Sequence, residues 1–423
     1  MKKDCQTNVD FMKIRVNRLI SRLHSVNRDV THGIAKFIEM VGEPRLKVAI
    51  ISYYFEAPTL SGVGVHAKNL AEHLSKSGCE VHVFCSSSEG SNYKDNGVTI
   101  HPIEPILIPH GDQFSGQMLD YDVFESEVIK ELIRENATRR FDIIHTHGAL
   151  TKAAFILKKT RGIRWVHTFH AIEKLRVRQL SREEKDFEDL ISWIESTVNH
   201  CDGAIFVSKS LLDEARGHYT LKSTRVIPNG VDLSVFSCSP ITKKNVLFIG
   251  RFSKEKGIEY LPGIIARVME VKDATFTAVC PYDTLGDDLK EIRGIMQKQE
   301  EHFKGRIRII EKRQHPETLR KLYSDCQVYI QPSKYESFGI CIVEAMATGR
   351  PVVSFNVGGI PEVIGGAGII AHNKNEMTHA IVELLEDKKR CADIGKMASE
   401  RVRMFDWDSI AKTIIGYYNE VAK

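Results

Sequence analysis

Two carboxylates near the C-terminal end, Glu336 and Glu344, are the residues of this 423-residue chain whose types and spacing most clearly predict chemistry. They stand eight positions apart in the stretch SKYESFGICIVEAMATGRPVV, on either side of Gly339. From 339 to 348 the run is apolar except for Glu344, so it predicts a buried helix that carries a buried carboxylate. Because an unpartnered buried carboxylate is costly, a polar group must meet it. A ligand diol such as a ribose edge would serve, and so would a core Arg or Lys in a purely structural role.

Two cations, Arg251 and Lys256, form a second candidate group just past a predicted strand and before a helix. An Arg fork and a Lys point charge suit a diphosphate whose negative charge grows as a sugar bond breaks. Lys254 and Glu255, which lie between them, are expected to face solvent. The plainer interpretation of the whole motif is a solvated charge cluster.

A glycine-rich segment contains Gly62, Gly64 and Ala67 at the G-x-G-x-x-A spacing of dinucleotide-binding folds. NAD is disfavoured for two reasons. The glycines follow the preceding strand by several residues, and the next strand ends at Cys85-Ser86, where an acidic ribose ligand should stand.

Further polar residues follow predicted strands or begin predicted helices. The histidines at strand ends are His145, His147, His167 and His170. No carboxylate or cysteine is spaced to complete a zinc site with them, so a structural role or a place beside a substrate is favoured. Two Asp-x-Asp pairs, at 120–122 and 406–408, lie in or before helical patterns and are interpreted as capping or surface residues.

Strand-length apolar runs alternate with helix-length segments from residue 46 onward, which predicts open, mostly parallel α/β sheets. One series covers residues 46–228 and a second covers 229–405, with a linker near 229–242. Residues 406–423 form a final helix. Ligands of such sheets bind beyond the C-terminal strand ends, so the cleft between the two domains is the expected site.

These motifs resemble the retaining GT-B glycosyltransferases, specifically glycosyltransferase family 4 (glycosyl transferases group 1). The resemblance covers about residues 46–423, and it includes the E-x7-E signature and a G-R-x-x-x-x-K-G motif at 250–257. It implies two Rossmann-like domains with an inter-domain cleft: an N-terminal acceptor domain and a C-terminal nucleotide-sugar donor domain. It also implies that the last helix crosses back onto the N-terminal domain.

The resemblance assigns site roles residue by residue. Glu336 would meet hydroxyls of the donor sugar, Glu344 would hold the nucleotide ribose, and His170 would face the sugar. Arg251 and Lys256 would bind the donor phosphates. The backbone of a helix N-terminus would add donors for the diphosphate, from Ser337, Phe338, Gly339 and Ile340.

One glycine-loop residue, Gly62, is also carried over, because it aligns with the second glycine of the family's Gly-Gly loop. Ser61 departs from the first glycine of that loop. The segment 280–287 departs from the family's Gly-x-Gly loop beside the base, so uridine and guanosine both stay open.

The implied reaction moves a hexose-type sugar from a UDP- or GDP-linked donor to a hydroxyl acceptor and forms an α-glycosidic bond. No carboxylate is evident from the motifs as a dedicated nucleophile, and the resemblance implies front-face substitution. The implied enzyme is a metal-independent hexosyltransferase without a cofactor, since the nucleotide sugar is its donor substrate. The acceptor would be a sugar, a sugar phosphate or a lipid-linked sugar. The alternatives are a nucleotide-sugar 2-epimerase of the same fold, an NAD-dependent oxidoreductase and a non-catalytic nucleotide-sugar sensor.

The net charge of +4 resides in residues 1–45, which hold nine basic and five acidic side chains. The remaining chain is neutral, which argues against nucleic-acid binding. Nine cysteines without C-x-x-C spacing and the lack of a signal peptide predict a cytoplasmic protein. On a helical wheel, Met12 to Val26 presents an apolar face with arginines on its flank. This pattern predicts an interfacial helix on an anionic membrane, or else a face that packs on protein.

Overall fold

A computed structural model of the protein describes residues 45–55, 61–105, 113–172, 174–175, 196–282 and 287–423, without the side chains of 113–118. It contains two sheets, each covered by helices. Apart from β3, which runs antiparallel to β4, all paired strands in both sheets are parallel. The predicted extension at 1–45, including its amphipathic face, lies outside the described residues except for Arg45.

The first sheet has eight strands in the order β3-β4-β2-β1-β5-β6-β7-β8. Its strands are β1 (Lys47–Ile51), β2 (Glu80–Ser86), β3 (Tyr93–Asp95), β4 (Val98–Ile103), β5 (Ile143–His147), β6 (Arg164–Phe169), β7 (Gly203–Phe206) and β8 (Thr224–Val226). Its helices are α1 (Gly62–Lys76), α2 (Gln113–Asn136), α3 (Lys152–Arg161) and α4 (Lys209–Ala215). The central strands are buried on both faces, which explains why they were recognisable as continuous apolar runs.

The second sheet has six strands in the order β11-β10-β9-β12-β13-β14. Its strands are β9 (Asn245–Ile249), β10 (Thr275–Val279), β11 (Ile307–Ile310), β12 (Val328–Gln331), β13 (Val352–Phe355) and β14 (Ile369–Ala371). Its helices are α5 (Leu261–Glu270), α6 (Asp287–His302), α7 (Pro316–Asp325), α8 (Ile340–Ala347), α9 (Ile360–Ile364), α10 (Lys374–Glu386) and α11 (Lys388–Arg401).

The last helix, α12 (Trp407–Ala422), follows a 3₁₀ turn at Val402–Phe405 and packs on the first sheet and α1. Asp406 caps it by accepting a hydrogen bond from the Ser409 amide, which agrees with the capping role predicted from sequence. The indole of Trp407 lies against Gly230, where a Cβ would come within 2.3 Å of it. The chain therefore crosses from the second domain back to the first, as predicted.

The order of the strands in each sheet indicates where the ligand-binding cleft lies. β1 lies between β2 and β5, and β9 lies between β10 and β12, so the chain reverses its direction of winding at β1 and at β9. Ligands of open parallel sheets bind at such points, beyond the C-terminal ends of the strands. The segments that follow β1, β9 and β12 carry most of the residues predicted to act on a donor.

Candidate active site

The turn between β12 and α8 holds Glu336 in place through its backbone. Gly339 precedes α8 with a φ of 92°, and a Cβ there would lie 2.8 Å from Cδ1 of Ile342. Only glycine meets both conditions without strain. The amide of Gly359 donates a 3.0 Å hydrogen bond to the Glu336 carbonyl oxygen, which ties the turn to the loop after β13.

Lys256 and Glu336 form an ion pair in the candidate site, beside the turn that precedes α8. Nζ of Lys256 lies 2.9 Å from Oε2 of Glu336 and 3.5 Å from Oε1 of Glu255. The Lys256 and Glu336 side chains are 16% and 15% exposed. Burial alone would lower the pKa of Lys256, but the two carboxylates outweigh it and raise that pKa. Lys256 is therefore a positive charge at neutral pH, on a site surface that remains partly open to solvent.

In the turn after β9, the side chains of the basic motif differ from the sequence prediction in which of them face solvent. Lys254 faces solvent, as expected, but the Glu255 side chain is only 9% exposed. The prediction that Glu255 faces solvent was wrong. A 3₁₀ turn at Lys254–Lys256 directs its carboxylate between two cations, and Arg251 approaches it at 3.3 Å. Arg251 is itself 60% exposed, so its guanidinium lies at the rim.

The N-terminus of α8 faces the glycine loop of the other domain. The amides of the first turn of a helix have no intrahelical acceptor, and they carry a partial positive charge. Around this turn, Phe338 is buried against the ring of Phe405, and Ser337 is also buried. Across the cleft, a Cβ added to Gly62 would lie 3.8 Å from Cδ1 of Ile340. The structure thus brings the Gly62 loop to the predicted anion-binding turn.

Glu344 is buried within α8, as the apolar run predicted. Its partner is neither a core Arg nor a core Lys, because Oε2 accepts a 2.8 Å hydrogen bond from the hydroxyl of Tyr323. Burial raises the pKa of Glu344 to about 7, and the Tyr323 hydrogen bond opposes part of that shift. A carboxyl group held this way gains from further hydrogen-bond donors such as a pair of ligand hydroxyls.

The histidines divide into two sets. His145 is a structural residue, because its ring lies 2.5 Å from the Tyr418 hydroxyl and 2.7 Å from that of Thr168. His167 is likewise bonded, to Thr146 at 2.8 Å. His147 and His170 instead approach each other, with 3.2 Å between Nδ1 of the first and Nε2 of the second. His170 is half-buried and lies at the edge of the group.

His66 joins that pair, and the sequence analysis missed it. It belongs to α1, four residues after Gly62, so both lie on one helix face. Its ring is centred 4.7 Å from that of His170 and 5.2 Å from that of His147. The glycine-rich segment contained the signal, since a helical continuation from Gly62 carries position 66 toward the same strand ends.

Two parallel-sheet domains that meet at a cleft, with a C-terminal helix returning to the first domain, define the GT-B class of glycosyltransferases. The sequence agrees with this assignment: a model of glycosyltransferase family 4 matches residues 60–235, and a model of glycosyl transferases group 1 matches residues 243–387. The chain belongs to this family of glycosyltransferases.

Individual proteins of known type are similar over nearly the whole length. The alpha-maltose-1-phosphate synthase of Mycolicibacterium smegmatis is 27% identical over 407 residues, covering 89% of this chain and all of that protein. Sucrose-phosphate synthase from Thermosynechococcus elongatus superposes with a TM-score of 0.75 at 23% identity, covering 89% of this chain and 99% of the other. The HepE protein of Anabaena, solved in complex with UDP-glucose, superposes with a TM-score of 0.66 at 18% identity, covering 89% of this chain and 100% of the other. These likenesses confirm the predicted fold.

Proposed function

We propose that this glycosyltransferase is a retaining enzyme that moves a hexose-type sugar from a nucleoside diphosphate to a hydroxyl acceptor, forming an α-glycosidic bond. The observation that carries the proposal is the Lys256–Glu336 pair, 2.9 Å apart beside the first turn of α8. A cation for phosphate and a carboxylate for sugar hydroxyls stand side by side there, at the junction of a nucleotide sugar's two halves.

Donor binding would exchange the partner of Lys256. In the protein alone, its ammonium is neutralised by two carboxylates. A diphosphate brings stronger negative charge, so Lys256 would turn to it and leave the Glu336 carboxylate free for the donor's hydroxyls. Arg251 at the rim and the amides from Ser337 to Ile340 would complete the phosphate site.

The proposed chemistry is front-face substitution. As the bond from sugar to phosphate breaks, the departing phosphate takes the acceptor's proton, and the new bond forms on the same face. Lys256, Arg251 and the α8 N-terminus would stabilise the growing phosphate charge, a task that other enzymes give to a metal ion. His170 would orient the sugar from the opposite domain, and Glu344 would hold the ribose.

The similar proteins indicate which donor and acceptor should be tested first. The HepE structure contains UDP-glucose, which favours a uridine donor over a guanosine donor. The names of two other neighbours describe phosphorylated sugar products. We therefore propose a UDP-linked hexose as the first donor to test and a sugar phosphate as the first acceptor. A free sugar and a lipid-linked sugar are the next acceptors to test.

The proposed membrane contact depends on residues 1–45, of which all but Arg45 lie outside the described part. Within the described residues, no helix is both long enough and apolar enough to span a bilayer. The proposal is limited to peripheral docking, through the positive charge and apolar face of the extension.

A pair of neighbouring lysine variants tests the function. Lys256→Met should lose UDP-sugar affinity by about tenfold to a hundredfold, the effect of a lost charged hydrogen bond. Lys254→Met, two residues away and bonded to exposed Asp288, should retain wild-type affinity. Calorimetric titration with UDP-glucose and GDP-mannose would measure the donor affinity of both variants and identify the preferred nucleobase. Equal affinity in the two variants, or transfer that needs neither donor, would contradict the proposal.

A further inference from the structure

Three imidazoles converge where the first domain meets the cleft: His66 from α1, His147 from the end of β5 and His170 just after β6. One ring nitrogen from each lies within 4.8 Å of the other two. Nδ1 of His147 and Nε2 of His170 are 3.2 Å apart, at hydrogen-bond distance, so a metal ion bound to both atoms would replace that hydrogen bond. A tetrahedral Zn²⁺ with Zn–N bonds of about 2.0–2.1 Å holds its ligands about 3.3 Å apart. Two ligands already have that spacing, and the third would move by on the order of 1 Å.

These rings also have hydrogen-bonding capacity that the described residues do not use. Among them, neither nitrogen of His66 has a hydrogen-bond partner. Buried polar atoms are rarely left unpaired, so the ring of His66 calls for a ligand or an ion.

A candidate outer partner lies nearby. The carboxamide of Asn229 is close to His66, without reaching hydrogen-bond geometry. Its Oδ1 is buried and has no partner among the described residues. Histidines that bind a metal usually donate their second ring N–H to such an oxygen, which fixes the orientation of the ring.

A second group of possible ligands is His82, His101 and Glu135, in which Nδ1 of His101 is buried without a partner among the described residues but both nitrogens of His82 already have polar contacts. Nδ1 of His82 already lies 2.8 Å from Nε2 of His101, and its other nitrogen lies 3.2 Å from Glu80. Burial lowers the pKa of both histidines, and the Lys47 ammonium lowers it further. The positive charge that disfavours a proton there would equally disfavour a metal cation.

We propose that His66, His147 and His170 form a binding site for one divalent transition cation that prefers imidazole, namely Zn²⁺ or Co²⁺, with cleft water as the fourth ligand. Catalysis as proposed above does not use this ion. If His170 orients the donor sugar, metal binding would withdraw it, and the ion would inhibit transfer. The inhibition rests on the proposed function, but the site itself does not.

Cobalt absorption tests the site independently of activity. The full chain, without a polyhistidine tag, would be dialysed against chelator and titrated with Co²⁺. We expect visible d–d bands of a tetrahedral centre that saturate at one Co²⁺ per chain and disappear when Zn²⁺ is added. Thiolate binding at the exposed Cys238 would instead produce a near-ultraviolet charge-transfer band.

Three variants decide the assignment. His66→Gln and His170→Gln should each weaken Co²⁺ binding by about tenfold or more, since loss of an outer partner alone costs that much. His302→Gln, on exposed α6, should bind as wild type does, and circular dichroism would confirm that each variant is folded. Absence of the visible bands from wild type, or wild-type affinity in both cluster variants, would overturn the site. Binding without inhibition would confirm the site and refute the role of His170 in transfer.

Discussion

The hydroxyl of Tyr323 donates a 2.8 Å hydrogen bond to Oε2 of Glu344, and this neutral group holds the buried carboxyl of α8. Burial raises the pKa of Tyr323 well above its usual value, so it remains a phenol. A phenol orients the carboxyl without neutralising its negative charge. Glu344 is therefore oriented by Tyr323 but buried at a cost in stability, which fits its proposed role in binding the ribose.

Replacing the two glutamates should separate binding from turnover. Glu344→Gln should weaken nucleotide-sugar binding, because the ribose loses its carboxylate. Glu336→Gln should reduce kcat more than affinity, because its proposed contact is with the reacting sugar. Each lost charged hydrogen bond is worth roughly 1.5–3 kcal/mol, or about tenfold to a hundredfold.

Titration calorimetry and initial rates would measure these effects, with Glu317→Gln, at an exposed position of α7, as the control. Wild-type affinity and rate in both site variants would show that the E-x7-E motif has been assigned wrongly.

The Glu344→Gln substitution should also stabilise the protein above neutral pH. The pKa of Glu344 is about 7 in the folded protein, against an ordinary value of 4.5. The folded state therefore binds this proton more tightly than the unfolded state, and the free energy of unfolding falls as pH rises from about 4.5 to about 7. Glu344→Gln removes that loss. At about 1.4 kcal/mol per pKa unit, its stability relative to wild type should rise by about 3 kcal/mol between pH 5 and pH 8.

Glu125 supplies the matched control. It is buried beside α3, accepts a hydrogen bond from the Ala153 amide, and has its pKa raised to about 8. Glu125→Gln should likewise raise the free energy of unfolding relative to wild type as pH rises, as measured by urea unfolding, and it should not reduce donor affinity. A stability difference between Glu344→Gln and wild type that does not change with pH would mean that Glu344 titrates normally.

The fold could be predicted because its signals are local. Buried parallel strands such as Lys47–Ile51 and Asn245–Ile249 are continuous apolar runs, and helix-length segments separate them. The burial of Glu344 followed from its neighbours in the same helix. The local pattern also identified Gly339, the glycine that precedes α8.

What sequence could not supply was the meeting of distant side chains. Tyr323 reaches Glu344 from a different helix, and no spacing rule pairs them. Glu255 turns inward because a 3₁₀ turn places it between two cations. His66 became notable only when β5 and β6 brought His147 and His170 beside it.

The extension at residues 1–45 should bind anionic vesicles. Each basic residue near anionic lipid contributes about 1 kcal/mol, and the apolar face adds burial in the interface. Flotation with anionic liposomes should recover the full chain at low salt and progressively less as salt is added. A chain lacking residues 1–45 should stay with the unbound protein. Failure of the full chain to bind at low salt would leave the extension as a packing or assembly element.

Transfer should survive chelation and retain configuration, because both follow from the same side chains. Lys256, Arg251 and the first turn of α8 are proposed to carry the phosphate charge, so EDTA should not reduce the initial rate. Front-face substitution forms the new bond where the old one breaks, so proton NMR of the first-formed product should show an α-linkage. Loss of activity in EDTA that Mn²⁺ restores would indicate a metal-held diphosphate, and a β-linked product would independently contradict the mechanism.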